Sequence, residues 1–355
     1  MIELQKLEVN GDWVTRFEVR RGLGTRPLWK MVDQLSFDES VRWVDRFAPL
    51  EGLFCEWAAV QAYEKALGIR VPAKAEVTRA ILAETQRLVW LFDYLHRILR
   101  ATGDFLLTEH FLRLRDLAMD GMDIVTGARL LPHCLTIGGC LRDLSIGENK
   151  KLRNQLRTVE YEARFFLKSM AEDGALVQRL SGVSPMDPDF AASLHFGSVL
   201  GQATGLKTDL RLADATGVYG PAQIEVFHPL SDRDWLYHPK LPVTPGDVWQ
   251  RVRAALFQVR QSLRLIDFFT DNIPGGPVRA ELTAQVKIPD GMWVAVVEAA
   301  SGPMVGMVSK RGLRLTSHST RMAPVFEKLL TPIPEEDLQL ALAATGLDMG
   351  QVDLC

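Results

Sequence analysis

The chain opens on alternation. IELQKLEV, the turn NGD and WVTRFEV place apolar and polar side chains on opposite faces at a period of two, and Asn-Gly between two such runs is a strong hairpin signal. The period then changes to 3.6. PLWKMVDQL, the stretch from Pro49 through EGLFCEWAAVQAYEKALGI, and AKAEVTRAILAETQRLVWLFDYLHRILRATG each put apolar residues at i, i+3, i+4 and i+7, as a helix with one buried face requires. Pro72 separates the second from the third. A further helix is predicted from 108 to about 126, ending at Gly127, and another over KKLRNQLRTVEYEARFFLKSMAED. Residues 174–245 are rich in proline and glycine and read as loop. Helix returns over 246–272 and stops at PGGP (274–277), and two strand-like runs follow, MWVAVVEA and PMVGMVSK. The expected fold is mainly α with small β elements (α+β): an N-terminal hairpin over 1–26, then a single helical-bundle domain over 27–355. That domain carries a loop-rich insertion at 174–245 and a small β region at 286–320.

Composition leaves this picture intact. With 355 residues, 47% of them hydrophobic and 24% charged, the chain has the make-up of an ordinary globular protein. A formal net charge of -3 from 41 basic and 44 acidic residues gives no global pull toward nucleic acid, so no nucleic-acid partner is expected. The charged, alternating N-terminus does not resemble an export signal. Every long apolar stretch is interrupted by charge, whereas a membrane span needs about 20 consecutive apolar residues. A cytoplasmic protein that meets the membrane only through partners is the expectation.

Candidate chemistry begins with TGARLLPHCLTIGGC, where His133, Cys134 and Cys140 crowd beside Gly138-Gly139. In a helix the two cysteines would lie about 600° apart, and in a strand His133 and Cys134 would point oppositely. Neither geometry converges the three on one ion. No C-x-x-C pair is present, and the four cysteines (55, 134, 140, 355) read as reduced thiols rather than a disulfide framework. Arg253, Arg260 and Arg264 share a helix in which Asp267 is the one acid within a turn of any of them, so their partners are expected elsewhere. Glu84 with Arg87, Glu56 with Arg46 and Asp116 with Arg115 read by default as surface pairs, each worth under about 1 kcal/mol. The absence of G-x-S-x-G, of a P-loop and of a dinucleotide-binding glycine motif disfavours nucleophilic hydrolases, P-loop enzymes and nicotinamide-dependent dehydrogenases of the Rossmann type.

Taken in order, several stretches resemble one family: the D subunit of the proton-pumping NADH-quinone oxidoreductase (complex I), itself related to the large subunit of nickel-iron hydrogenases. EKALGIRVP with Glu84-Thr85-Gln86-Arg87 is similar to "EKLLGIxVP … E-x-x-R", and VTGARLLPHCLTIGG to "VTGARMHPNYIRPGG". SGVSPMDPDFAASLHFGSVLGQATGLKTDLR, VRQSLRLIDFFTDNIPGGPV, VVEAASG with MVSKRG, and TGLDMGQVDLC follow the family's later motifs. The resemblance runs from about residue 40 to the C-terminus. It departs at the groups that serve quinone: the "GPQHPxxHG" loop is not found, and Pro49 and Trp90 stand where the family has its quinone-contacting tyrosine and the histidine of "E-x-x-R-x-x-H". Thr136 and Ser301 replace basic residues, and the helix after "GPV" is absent.

The resemblance implies a hydrogenase large subunit-like bundle in a membrane-associated complex that passes electrons from an iron–sulfur cluster, held by a partner's cysteines, to quinone, coupled to proton translocation. The chain would hold no metal of its own, since the C-x-x-C motifs that bind nickel and iron are missing. Quinone would be the substrate, with His133 as proton donor and Glu56, Arg87 and Arg129 lining its cavity. Its partners would be the cluster-bearing small subunit and other complex I-like subunits, on the inner face of the cell membrane. The alternative is a non-catalytic scaffold or assembly paralogue of the same subunit.

Overall fold

The computed structural model describes residues 4–20, 27–213, 217–229, 243–282 and 287–348. Strands β1 (Leu4–Asn10) and β2 (Trp13–Val19) form the expected antiparallel hairpin, with Gly11 in the left-handed region at the turn. Helices α1 (Leu28–Val32) and α2 (Phe37–Trp43) follow. A 3-10 turn over Val44–Phe47 then leads toward α3 (Gly52–Leu67), α4 (Ala73–Thr102) and α5 (Phe105–Thr126). Each of these three long helices ends on a glycine with positive φ, Gly68, Gly103 and Gly127, a backbone state that side-chain-bearing residues resist.

A minimal ladder, β3 (Leu135–Thr136) and β4 (Gly139–Cys140), precedes α6 (Ile146–Glu172). Within the stretch expected to be loop-rich lie short helices, α7 (Gly174–Leu180), α8 (Pro188–Ser193) and α9 (Ser198–Ala203), with 3-10 turns at Leu210–Ala213 and Gly220–Ala222. Asp173 and Asp187 cap the first two of them. Helix α10 (Val248–Asp271) starts at Asp247, whose carboxylate accepts the Gln250 and Gly182 N–H groups, both at 2.8 Å.

The C-terminal part holds β5 (Met292–Glu298), β6 (Pro303–Ser309) and β7 (Gly312–Thr316), an antiparallel sheet in that order. It has one strand more than the sequence pattern indicated. Next come α11 (His318–Met322), α12 (Phe326–Leu329), β8 (Ile333–Pro334) and α13 (Glu335–Ala344).

Helix α4 is the axis of the bundle, packed against α5, α10 and α13, with α6 against α5 and α10. Helix α3 lies between the bundle and the β5–β6 face. There the strand comes close enough that a Cβ on Gly306 would sit 2.4 Å from the Ala58 carbonyl oxygen. The fold is thus mainly α with small β elements, as the pattern predicts. A second, smaller core joins Val14, Phe17 and Val19 of the hairpin to Phe196, Leu200, Phe326, Ile333 and Leu342, and β8 pairs with β2. The N-terminal hairpin therefore shares sheet and core with the C-terminal helices. Residues 21–26, 230–242 and Cys355, which the sequence reading touched, lie outside the described residues.

Candidate functional site

Two buried polar clusters converge on α3 and α4, and between them they place most of the sequence-derived site residues. The first shapes the loop that follows α5. Leu131 and His133 both have positive φ (53° and 44°), a strained state for residues other than glycine that surrounding contacts must hold. Glu56, fully buried on α3, supplies one such hold: its two carboxylate oxygens accept the His133 and Leu135 N–H groups, each at 3.0 Å. Two turns on, Glu64 accepts the Gly138 N–H at 2.8 Å and pairs with Arg79 of α4 at 2.7 Å. Arg79 also donates to the carbonyls of Thr136 (3.1 Å) and Gly139 (3.0 Å). The Cys140 N–H and Gly138 carbonyl then bond to Val278 and Ala280, so the loop is fixed from both sides.

Within this cluster Asp45, from the 3-10 turn before α3, is also fully buried. Its Oδ1 accepts from Arg46 at 2.9 Å and its Oδ2 lies 3.2 Å from His133 Nδ1. The pairing read from the sequence, Glu56 with Arg46, is therefore replaced by Asp45 with Arg46. Burial is the main influence on both acids and pushes Glu56 up to about 8 and Asp45 above its ordinary value. The flanking backbone N–H groups (for Glu56), and His133 and Arg46 (for Asp45), act in the opposite sense. Cys134 and Cys140 are buried thiols, both raised by burial, Cys140 to about 11.

The second cluster surrounds Glu84, whose carboxylate is completely buried. It accepts from Tyr219 (2.8 Å), Ser262 (2.7 Å), Arg211 (3.1 and 3.2 Å) and Arg87 (3.3 Å). Arg211 is held from its other side by Asp209, at 2.6 and 2.9 Å. Burial alone would raise Glu84, but the Arg211 and Arg87 guanidiniums outweigh it and hold the carboxyl below the usual range. The surface pair expected of Glu84 and Arg87 is thus the centre of a buried network. The sequence default failed because the decisive partners are 127 to 178 residues away in the chain.

The four predicted site residues divide accordingly. Glu56 and His133 meet in the first cluster, with the His133 side chain 36% exposed. Arg87 belongs to the second, where its remaining donors serve the Glu298 and Ala299 carbonyls at 2.5 and 3.0 Å. Arg129 is exposed and forms ion pairs with Asp120 and Asp116. Asp45, Glu64, Arg79, Asp209 and Arg211 were missed. A signal for Glu64 was available, since the α3 sequence GLFCEWAAVQAYEKAL embeds two acids in an apolar run, and acids inside such runs are buried only when paired. The helix arginines also find unexpected partners. Arg253 donates to the Pro229 carbonyl and Gln250, and Arg264 to the Ala222 and Gln223 carbonyls, so backbone oxygens of the loop-rich stretch take the place of carboxylates.

Trp90 lies stacked on Tyr94 with ring centroids 5.0 Å apart, and Pro49 begins a 3-10 turn just before α3. The sequence pattern of the respiratory-chain NADH dehydrogenase 49 Kd subunit family matches residues 102–290, just over half of the chain. The chain belongs to this family. It is similar to the NADH-quinone oxidoreductase D subunit of Desulforamulus reducens, with 27% identity over 302 residues that cover 84% of this chain and 78% of the relative. The likeness to the D subunit of Desulfotalea psychrophila is 25% over 365 residues, covering 98% and 90%. The NADH-quinone oxidoreductase C/D subunit of Bacteroides fragilis is 25% identical over 321 residues, and there the match spans 56% of the longer relative. Both buried clusters draw on the matched region, which contains His133, Leu135, Gly138, Asp209, Arg211, Tyr219 and Ser262.

Proposed function

We propose that the chain is the D-subunit-like component of a membrane-associated NADH-quinone oxidoreductase. In this reading it seats a partner whose cysteines hold an iron–sulfur cluster, and the complex passes electrons from that cluster to quinone, coupled to proton translocation. The observation that carries the reading is the clamped 127–140 loop. It is the stretch that resembles the family's cluster-facing segment, and Glu56, Glu64 and Arg79 hold its 133–139 part while residues 127–131 and His133 stay at least partly exposed. A rigid loop presents a docking surface without an ordering cost at association. Among the described residues no helix is long and apolar enough to cross a membrane, so other complex I-like subunits would supply the attachment on the inner face of the cell membrane. Recovery of the chain from its native cells should bring a cluster-bearing small subunit with it; recovery of the chain alone would overturn the proposal.

A second reading, a scaffold that keeps the assembly surfaces without quinone chemistry, is favoured by one specific observation. By the sequence resemblance, Pro49 and Trp90 would stand where the family has a tyrosine and a histidine, and neither has a proton to pass to a quinone oxygen at neutral pH. Of the four predicted site residues, His133 alone combines a titratable ring with access to solvent. Quinone reduction by the purified complex, compared between wild type and His133→Ala, separates the readings: a large loss supports His133 as the donor, unchanged turnover removes that role, and absence of turnover in the wild type supports the scaffold.

A further inference from the structure

We propose that Asp45, Glu56 and His133 form a binding site for one divalent transition-metal ion of the zinc class. One ligand atom from each residue lies within 4.8 Å of the other two, and the three come from separate elements: the 3-10 turn before α3, α3 itself, and the loop after α5. The arrangement asks for a cation. Asp45 is fully buried, yet its Oδ2 has no hydrogen-bond partner, and the atom it faces, His133 Nδ1 at 3.2 Å, has none either. If Nδ1 carries no proton, it and the carboxylate oxygen present lone pairs to each other, and either a cation between them or a proton on Nδ1 relieves the contact.

The donor set suits this class of ion. Two carboxylate oxygens and one imidazole nitrogen fit zinc and its first-row neighbours, and copper and zinc bind such sets more tightly than manganese or iron. Three protein ligands leave a fourth position of a tetrahedral zinc ion for a small ligand such as water. The ligands are also oriented by outer hydrogen bonds: the His133 and Leu135 N–H groups fix the Glu56 carboxylate, and Arg46 fixes Asp45 through its other oxygen. Such outer contacts typically accompany metal ligands. Among the described residues Arg46 is the one guanidinium bonded to these two acids, so a divalent ion would balance the charge they bring into a dry site. Sequence spacing could not reveal the site, because His133 appeared there beside Cys134 and Cys140, whereas its partners lie 88 and 77 positions earlier. The proposal needs neither quinone nor a partner, and its failure would leave the proposed function untouched.

The alternative occupant is a proton on His133, and metal binding distinguishes the two. The full untagged chain, stripped with a chelator, is titrated with Zn²⁺ by calorimetry, and retained zinc is measured after desalting. One ion per chain is expected, with a rise in melting temperature. His133→Ala, which removes a partly exposed side chain, should weaken binding by at least ~10-fold and abolish the rise, and Asp45→Asn provides a shape-conserving second variant. Failure of the wild type to retain zinc, or equal binding by wild type and His133→Ala, would overturn the site.

Discussion

Replacing Glu84 by glutamine tests the buried network most directly. The substitution keeps the volume but removes the charge that four side chains address: the Tyr219 and Ser262 hydroxyls, Arg211 and Arg87. Arg211 keeps Asp209, whereas Arg87 is left with two carbonyls, and the new amide turns N–H donors toward groups that are themselves donors. Breaking a buried ion pair by removing one partner costs about 3–5 kcal/mol. Part of this is recovered, because Glu298, which burial first and Asp209 second push up to about 7, feels the Arg87 and Arg211 charges as well and ionises more readily once Glu84 is neutral. A loss of roughly 3 kcal/mol at pH 7, at the low end of that range, is the expected outcome.

The assay is urea unfolding of wild type and variant at several pH values. Because the folded Glu84 carboxyl sits below its ordinary 4.5, its contribution is complete above that pH and is lost as pH falls further. The gap between the two proteins should therefore widen as pH falls through about 7, where Glu298 takes up its proton and its compensation fades, and narrow below 4.5. A double-mutant cycle with Arg211→Ala should show a coupling of about 0.5–3 kcal/mol. A variant within about 0.5 kcal/mol of wild type at pH 7 would refute the reasoning, since it would mean that the carboxylate is hydrated in solution.

Other expectations follow from single contacts. Gly139→Ala would place a Cβ 2.2 Å from the Val278 carbonyl oxygen, an overlap that backbone must absorb at about 1–3 kcal/mol or more; a melting temperature equal to wild type would show that β3–β4 is not held there. Arg79→Lys keeps the charge but loses the fork that spans Glu64, Thr136 and Gly139, and a destabilisation of about 2–3 kcal/mol is expected in chemical unfolding. His318, fully buried with Nε2 2.9 Å from the Thr345 carbonyl, is held neutral by burial, its pKa lowered from 6.5 to about 4. The unfolded chain then binds the extra proton between these values, so stability is full above pH 6.5 and falls as pH drops to 4, by up to about 3 kcal/mol. His318→Gln should flatten that slope, and an unchanged slope would assign the acid sensitivity elsewhere.

The long helices were legible because each shows an apolar stripe at period 3.6, and in α3, α4 and α5 a terminal glycine marks the end, as Gly103 does for α4 and Gly127 for α5. The elements between 174 and 222 were not, because α7, α8 and α9 are one or two turns long and carry no sustained period. Their position is set by distant contacts such as Ser198 with the Ala300 carbonyl and Arg211 with Glu84. The pattern reading assigned no element to 317–348, although Pro334 followed by Glu335, Glu336 and Asp337 is a helix start favourable to the helix dipole. At the candidate site the loop was found from composition, but its supports were invisible: a carboxylate in a helix looks the same in sequence whether it meets water or the N–H groups of a loop 77 residues away.

That blindness bears on how the family motifs are interpreted. Glu84 and Arg87 of the "E-x-x-R" stretch, Asp209 and Arg211 of the "DLR" stretch, and the Gly138-Gly139 pair all have their polar groups or backbone committed to contacts that build the fold. Selection for stability alone suffices to keep such residues, so their presence carries the architecture without deciding the chemistry. Evidence on chemistry must come from side chains with unspent bonding capacity. Asp45 Oδ2 and His133 Nδ1 have it, both buried atoms, although the rest of the His133 side chain reaches solvent. Chemistry at this loop would therefore run through the space between those two atoms, and a substitution at either one should alter it while leaving the Glu84 network unchanged.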